Sequence, residues 1–200
     1  MPRMQPIGGK SAMTIPLIKH CEDHLGSIVS GWSRDAAGTP LSVQVALFES
    51  SPLPGVQVLC TLGLSNVPLC AGGGTLRLRQ ELVAMFRETD GPRNLPAILQ
   101  QLATEALSND AALVLGDVIG PRGELRTGAT VSALYTALPV YLPDSFHVCR
   151  STPEPVVFGW MVPITDAEAV FARTRGRDAF ESLLESVDPD LLHTSRASMV

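Results

Sequence analysis

The sequence predicts an α+β fold, a single domain built on a mixed, largely antiparallel sheet with helices packed on its faces. Three observations carry that expectation. Val156, Val157, Phe158, Trp160, Met161 and Val162 form a nearly unbroken run of β-branched and aromatic residues, which suits a strand covered on both faces in the middle of a sheet. Leu41–Phe48 and Val56–Leu62 flank the turn Ser51-Pro52-Leu53-Pro54-Gly55, the pattern of an antiparallel hairpin. Leu95, Ile98, Leu99, Leu102, Ala106 and Leu107 recur at three- and four-residue steps, the apolar stripe of a helix.

In chain order, residues 1–13 contain Gly and Pro among polar residues and read as a flexible N-terminus, with the domain running over 14–200. Ile18, Cys21, Leu25, Ile28 or Val29, and Trp32 then repeat with helical spacing, Pro16 being tolerated in the first turn. Ser33–Pro40 is a loop of turn formers. After the hairpin, Gly63-Leu64-Ser65-Asn66 and the link Ala71–Gly74 lead to Leu76–Phe86. That segment fits a helix or a strand, and its alternating apolar positions favour the strand. Gly91-Pro92 breaks the chain, and Asn94 can cap the helix that follows.

Leu113–Leu115 leads into Gly116-Asp117, Val118-Ile119 and a Gly120-Pro121-Arg122-Gly123 turn. Val131–Val140 alternates weakly and reads as a strand ending at Pro139 or Pro143, and polar residues 144–154 connect it to the central run. That central strand should stop at Pro163, which has no hydrogen to give to a ladder. Thr165-Asp166-Ala167-Glu168 is a capping box, and the two acids suit the positive end of a helix dipole. Arg173, Arg175 and Gly176 mark its far end. A last helix sets Phe180, Leu183, Leu184 and Val187 on one face, and the tail Leu191–Arg196 can dock back on the sheet.

Composition removes several classes of function. A formal charge of −5 and a pI near 5.3 argue against a nucleic-acid binder, which would carry a basic stripe. No run of like charges forms a polybasic membrane patch. The N-terminus lacks the apolar core of a signal peptide, and no apolar segment is long enough to span a bilayer, so a cytoplasmic protein is expected. Cys21, Cys60, Cys70 and Cys149 lie far apart, and in a reducing compartment they are expected as free thiols.

Candidate chemistry is sparse. Gly63-Leu64-Ser65-Asn66-Val67 approaches a nucleophile elbow, but Val67 stands where that motif needs its second glycine and Pro68 forbids a helix start, so a structural turn is expected. Gly72-Gly73-Gly74 lacks the Lys-Ser or Lys-Thr of a phosphate loop. His20, Cys21 and His24 share a helical segment, and with His147 and Cys149 they have the donor types of a zinc site or of a Cys–His nucleophile. Packed thiols and exposed imidazoles are the expectation, with no metal, no cofactor and no catalytic residue assigned. Asp117, after a glycine at a strand edge, is the carboxylate to watch; the blander alternative is a turn aspartate that satisfies its own amides.

Taken together, Gly63–Ser65, Gln80–Phe86, Leu95–Ala103, Gly116-Asp117, Ala133–Tyr141, Pro155–Glu185 and Ser195–Ser198 resemble the suppressor of fused-like (SUFU) domain family, in its bacterial single-domain form. The resemblance spans about Ile15 to Val200. It implies a non-enzymatic protein-binding module. Animal relatives hold a short transcription-factor peptide as a strand between two domains, and only the first of those domains is matched. For stand-alone bacterial members it implies an immunity protein that masks a cognate toxin. It carries a peptide-contacting acid onto Asp117, and sets Glu105 where those relatives have an assisting tyrosine, a departure from that peptide mode.

The expected partner is therefore another protein, possibly a basic toxin or effector, since an acidic surface steers a basic partner. Two alternatives stand beside it. One is an enzyme with a Cys/His site using Cys21 or Cys149. The other is a scaffold or homodimeric interaction domain with no toxin involved.

Overall fold

The computed structural model describes residues 14–35, 37–49, 52–90, 94–121 and 128–200. Nine strands are present among them. They are β1 (Ile28–Arg34), β2 (Pro40–Glu49), β3 (Val56–Leu62), β4 (Leu69–Cys70), β5 (Arg77–Arg87), β6 (Val118–Ile119), β7 (Val131–Ala137), β8 (Val148–Cys149) and β9 (Val156–Thr165). The helices are α1 (Thr14–Leu25), α2 (Leu95–Asn109), α3 (Asp166–Arg175) and α4 (Arg177–Val187). Seven strands form the path β1-β2-β3-β5-β9-β7-β6, with β4 appended to β5 and β8 to β9. The β5–β9 pair is parallel and the other strand pairs antiparallel. This is the mixed, mostly antiparallel sheet that the sequence predicts.

Alternation along the strands sorts the core into two layers. Leu17, Cys21 and Leu25 of α1 and Phe180 of α4 pack with Phe48, Val58, Val83 and Trp160 on one face. Leu95, Leu99 and Leu102 of α2 pack with Val45, Leu59, Leu82 and Met161 on the other. β9 lies between β5 and β7 and gives Trp160 to one layer and Met161 to the next. Its continuous apolar run is the consequence of being covered on both sides.

Several expectations need correction. The first helix stops at Leu25, where Gly26 takes a positive φ of 81°. The residues assigned to its last turns form β1 instead. Ile28, Ser30 and Trp32 are half-buried while Val29 and Gly31 are exposed, a period of two that helical spacing had imitated. Asn94 makes no side-chain cap; its own φ and ψ are helical. Val187 is 49% exposed rather than part of the buried face of α4. The expected N-terminal flexibility of 1–13, the Gly91-Pro92 break and the Arg122-Gly123 half of the turn lie outside the described residues.

Pro163 does not end β9, which runs on to Thr165. In an extended strand the nitrogen and carbonyl of one residue point to the same side. The Pro163 carbonyl accepts from Arg196 Nη2 at 3.3 Å, so its nitrogen also faces that side, where the β5 ladder has already stopped at Trp160. No ladder bond is lost there.

The C-terminal tail docks as expected, over more of the fold than its length suggests. Arg87 N donates to Leu192 O (3.4 Å), and Thr194 N and Oγ1 donate to Asp90 (3.1 and 2.7 Å). Thr130 Oγ1 donates to Arg196 O at 2.6 Å. Arg196 then forms a two-pronged pair with Glu168, Nη1 to Oε1 at 2.5 Å and Nη2 to Oε2 at 2.6 Å.

Candidate functional site

Beyond α2 the chain crosses toward β7 as a strap held by one amide side chain. Gln80 Nε2 donates to Leu113 O (2.7 Å), and Leu113 N donates to Gln80 Oε1 (3.0 Å). Gln80 lies against Gly159 of β9, where a Cβ would come within 3.0 Å of Nε2. The glycine is what lets the buried amide reach the strap.

The Gly116–Asp117 step then meets the outer side of β7. Gly116 N donates to Thr136 O and Thr136 N donates to Asp117 O, both at 2.9 Å. Gly116 has φ +96°, and a Cβ there would press on the Arg177 side chain at 3.2 Å. The step is therefore wedged between the β7 edge and the start of α4. Asp117 Oδ2 accepts from Val114 N at 2.8 Å while Asp117 N donates to Val114 O at 3.0 Å. This is the geometry of a turn aspartate, on a half-buried residue at the margin of the sheet.

Glu105 sits elsewhere. It is half-buried on α2, which packs over β2, β3 and β5, and its Oε1 accepts from Gln101 Nε2 at 2.9 Å. The two carboxylates singled out from the sequence thus occupy different elements, one over the middle strands and one at the β7–β6 end.

Arg177 also opens onto a cavity of about 310 Å³ between α4, the end of β7 and the middle of β9. Tyr135, Tyr141 and Trp160 wall it, with the Tyr141 and Trp160 ring centres 5.1 Å apart. Tyr135 Oη donates to Glu181 Oε1 (3.2 Å), and Arg177 Nε donates to the same oxygen (2.9 Å). Burial, and after it the Glu181 carboxylate, hold the Tyr135 phenol well above its ordinary range.

The other candidate nucleophiles and ligands are occupied by structural bonds. Ser65 Oγ is buried and donates to Glu81 Oε1 at 2.6 Å. His20 Nε2 faces Phe146 O (3.1 Å), His24 bridges His20 O (2.8 Å) and Ser145 Oγ (2.9 Å), and His147 Nε2 faces Pro139 O (3.3 Å). Burial lowers the His20 pKa. Cys21, Cys60 and Cys149 are buried and Cys70 half-buried, all four as free thiols. Burial pushes Cys60 well up, helped by Cys21 beside it. Among the described residues, no three His, Cys, Asp or Glu side chains gather in a form that could hold a metal ion.

Glu81 is one of several scattered acids to which the sequence alone assigns no role. It is fully buried on β5 and accepts from Thr61 Oγ1 (2.6 Å), Gly63 N (2.9 Å), Ser65 N (3.1 Å) and Ser65 Oγ. The signal was available: β5 is covered on both faces, so a charge at its out-of-phase position must be satisfied by the protein itself.

Fold and site together define an α+β domain in which Ser65, His20, His24 and His147 are held in structural hydrogen bonds. The chain belongs to the suppressor of fused protein (SUFU) family, whose model matches residues 39–197, as its resemblance implied. Solved structures share the fold. A SUFU homologue from Neisseria gonorrhoeae superposes with a TM-score of 0.73 at 19% identity, over 94% of this chain and 97% of that one. A chain of the Sufu–Fu complex matches with a TM-score of 0.68 at 16% identity, over 94% and 92% of the two chains. Drosophila Suppressor of Fused gives 0.58 at 19% identity, covering 78% of this chain and 42% of that one. None of the curated proteins compared with the chain matches it. Among the described residues, no helix is long and apolar enough to cross a membrane.

Proposed function

We propose that this chain is a non-catalytic protein-binding module, acting in the cytoplasm as an immunity protein that masks a basic toxin. The observation that carries this reading is that Ser65, His20, His24 and His147 are held in structural hydrogen bonds and Cys21, Cys60 and Cys149 are buried, in a chain of a family one of whose matched folds comes from the Sufu–Fu complex. The net charge of −5 supports a basic partner by raising the rate of encounter. The contact surface includes the β7–β6 margin, where Asp117 fixes a donor of the partner, with Glu105 on α2 as a second contact.

The experiment measures binding between this chain and the product of the adjacent gene, since immunity proteins are usually encoded beside their targets. Binding is expected, weakened about tenfold by Asp117→Asn, which keeps an acceptor for Val114 and removes the charge. No complex with that product, together with capture from the native host that returns only metabolic enzymes, would overturn the reading.

A further inference from the structure

The cavity beside α4 has a chemistry of its own, and we propose that it receives one large apolar side chain of a partner segment carrying Lys or Arg next to it. This rests on the protein-binding reading and adds to it a socket distinct from Asp117. The walls are the rings of Tyr135, Tyr141 and Trp160 and the side chain of Leu184. The lip is apolar too, with Leu138 44% and Val140 63% exposed. Side chains of that size left in water beside an apolar hollow mark a contact surface, and a hollow of about 310 Å³ is at the small end of ligand sites.

Charge selects the neighbour of the apolar group. Among the described residues that line it, Glu181, Glu185 and Asp188 stand with one cation, Arg177, so three carboxylates against one guanidinium leave a net charge of −2. Arg177 is moreover already bonded to Glu181. A cation beside the apolar side chain complements that charge, whereas an anion is repelled.

Trp160 favours a peptide over a free amine. The residue is 1% exposed, and its Nε1–H has no acceptor among the described residues. A buried donor without a partner is costly, and a main-chain carbonyl on the occupant supplies what a simple amine lacks.

The test follows the Trp160 indole N–H resonance by NMR. The chain has two tryptophans, so Trp32→Phe leaves this signal alone. N-acetyl-Phe-Arg-amide is expected to shift it saturably, and N-acetyl-Phe-Glu-amide to bind about fivefold more weakly. Ala137→Phe, which fills the cavity, and Val140→Ser, on the exposed lip, are each expected to weaken Phe-Arg binding. No saturable shift, equal binding of the two probes, or a shift that grows with protein concentration alone (a second copy as occupant) would each overturn the proposal. Asp117→Asn should leave probe affinity unchanged. Absence of a toxin complex with the parent chain while the probe binds counts against the function proposed above, whereas a silent probe with the complex intact counts against this socket alone.

Discussion

Two glutamates, both with no exposed surface, meet opposite fates in this fold. Glu168, at the start of α3, faces a cation: Arg196 grips both its oxygens, and the amides of Thr165 and Met199 add bonds at 2.9 and 3.0 Å. Glu81, on β5, has no cation bonded to it among the described residues and is held by the hydroxyls and amides of Thr61, Gly63 and Ser65. Burial raises the pKa of both. At Glu168 the Arg196 bonds and charge outweigh it and the pKa falls; at Glu81 four neutral hydrogen bonds do not, and it rises. The lesson is that burial alone does not decide a carboxylate's ionisation; the countercharge does.

The comparison breaks most visibly if the cation is removed. Arg196→Ala leaves Glu168 buried and uncompensated, and denaturant unfolding should show a loss of about 3–5 kcal/mol. A loss below about 1 kcal/mol would mean that water reaches the Arg196–Glu168 pair and that this latch on the tail is a surface interaction. Glu81→Gln should cost less, about 1–3 kcal/mol, because one oxygen keeps its donors and the new amide faces Thr61 Oγ1. That hydroxyl already accepts Leu82 N at 2.8 Å, so it must take a second donor.

Acid sharpens the contrast, because the two groups bend the stability profile in opposite senses. For Glu168 the folded-state pKa lies below the reference 4.5, so its contribution is present above that value and is lost as pH falls through the folded pKa. For Glu81 the folded-state pKa lies above 4.5, so its folded form binds the proton more tightly, and stability is lost as pH rises from 4.5 through the raised value. Unfolding free energies across this range should show Glu81→Gln flattening the loss above pH 4.5. Glu168→Gln should flatten the loss below it. If both variants shift the same limb, the assignment of opposite shifts is wrong.

How much of this the sequence disclosed follows the range of the interactions. The capping box of Thr165 and Glu168 was legible because both bonds close within three residues, and both are formed. The antiparallel hairpin was legible because β2 and β3 are joined by a short turn, and the pairing Gln44 with Leu62 through Glu49 with Gln57 follows from it. The boundary of α1 was not, because Ile28 and Trp32 satisfy a helical spacing and only pairing with β2 decides for a strand. Asp117 could be picked out as a turn carboxylate from its glycine neighbour, whereas the cavity could not, since Tyr135, Trp160 and Leu184 come together from three elements. Arg196, 28 residues from Glu168 in sequence, carried no local mark of its partner. The parallel β5–β9 pair joins segments far apart in the chain, Arg79 with Val156 through Val83 with Trp160, beyond what local patterning reports.

The smallest effect asks whether the latch and the helix cap are one device or two. Thr165 Oγ1 accepts from Glu168 N at 3.2 Å and lies 3.0 Å from Ser198 Oγ, so it touches both the cap and the tail. Thr165→Ala removes the cap acceptor but leaves the bond from Thr165 N to Glu168 Oε2 and the Arg196 grip in place. An N-cap hydroxyl is worth about 1 kcal/mol, and the loss should stay near that figure if the tail keeps its place without the Thr165 hydroxyl. Amide exchange at Thr194 and Met199, whose N–H groups donate to Asp90 and Glu168, should then remain as slow as in the parent chain. Faster exchange at both, with a cost approaching that of Arg196→Ala, would instead show that the carboxylate depends on its cap for its position as much as on the cation, and that helix start and tail unfold together.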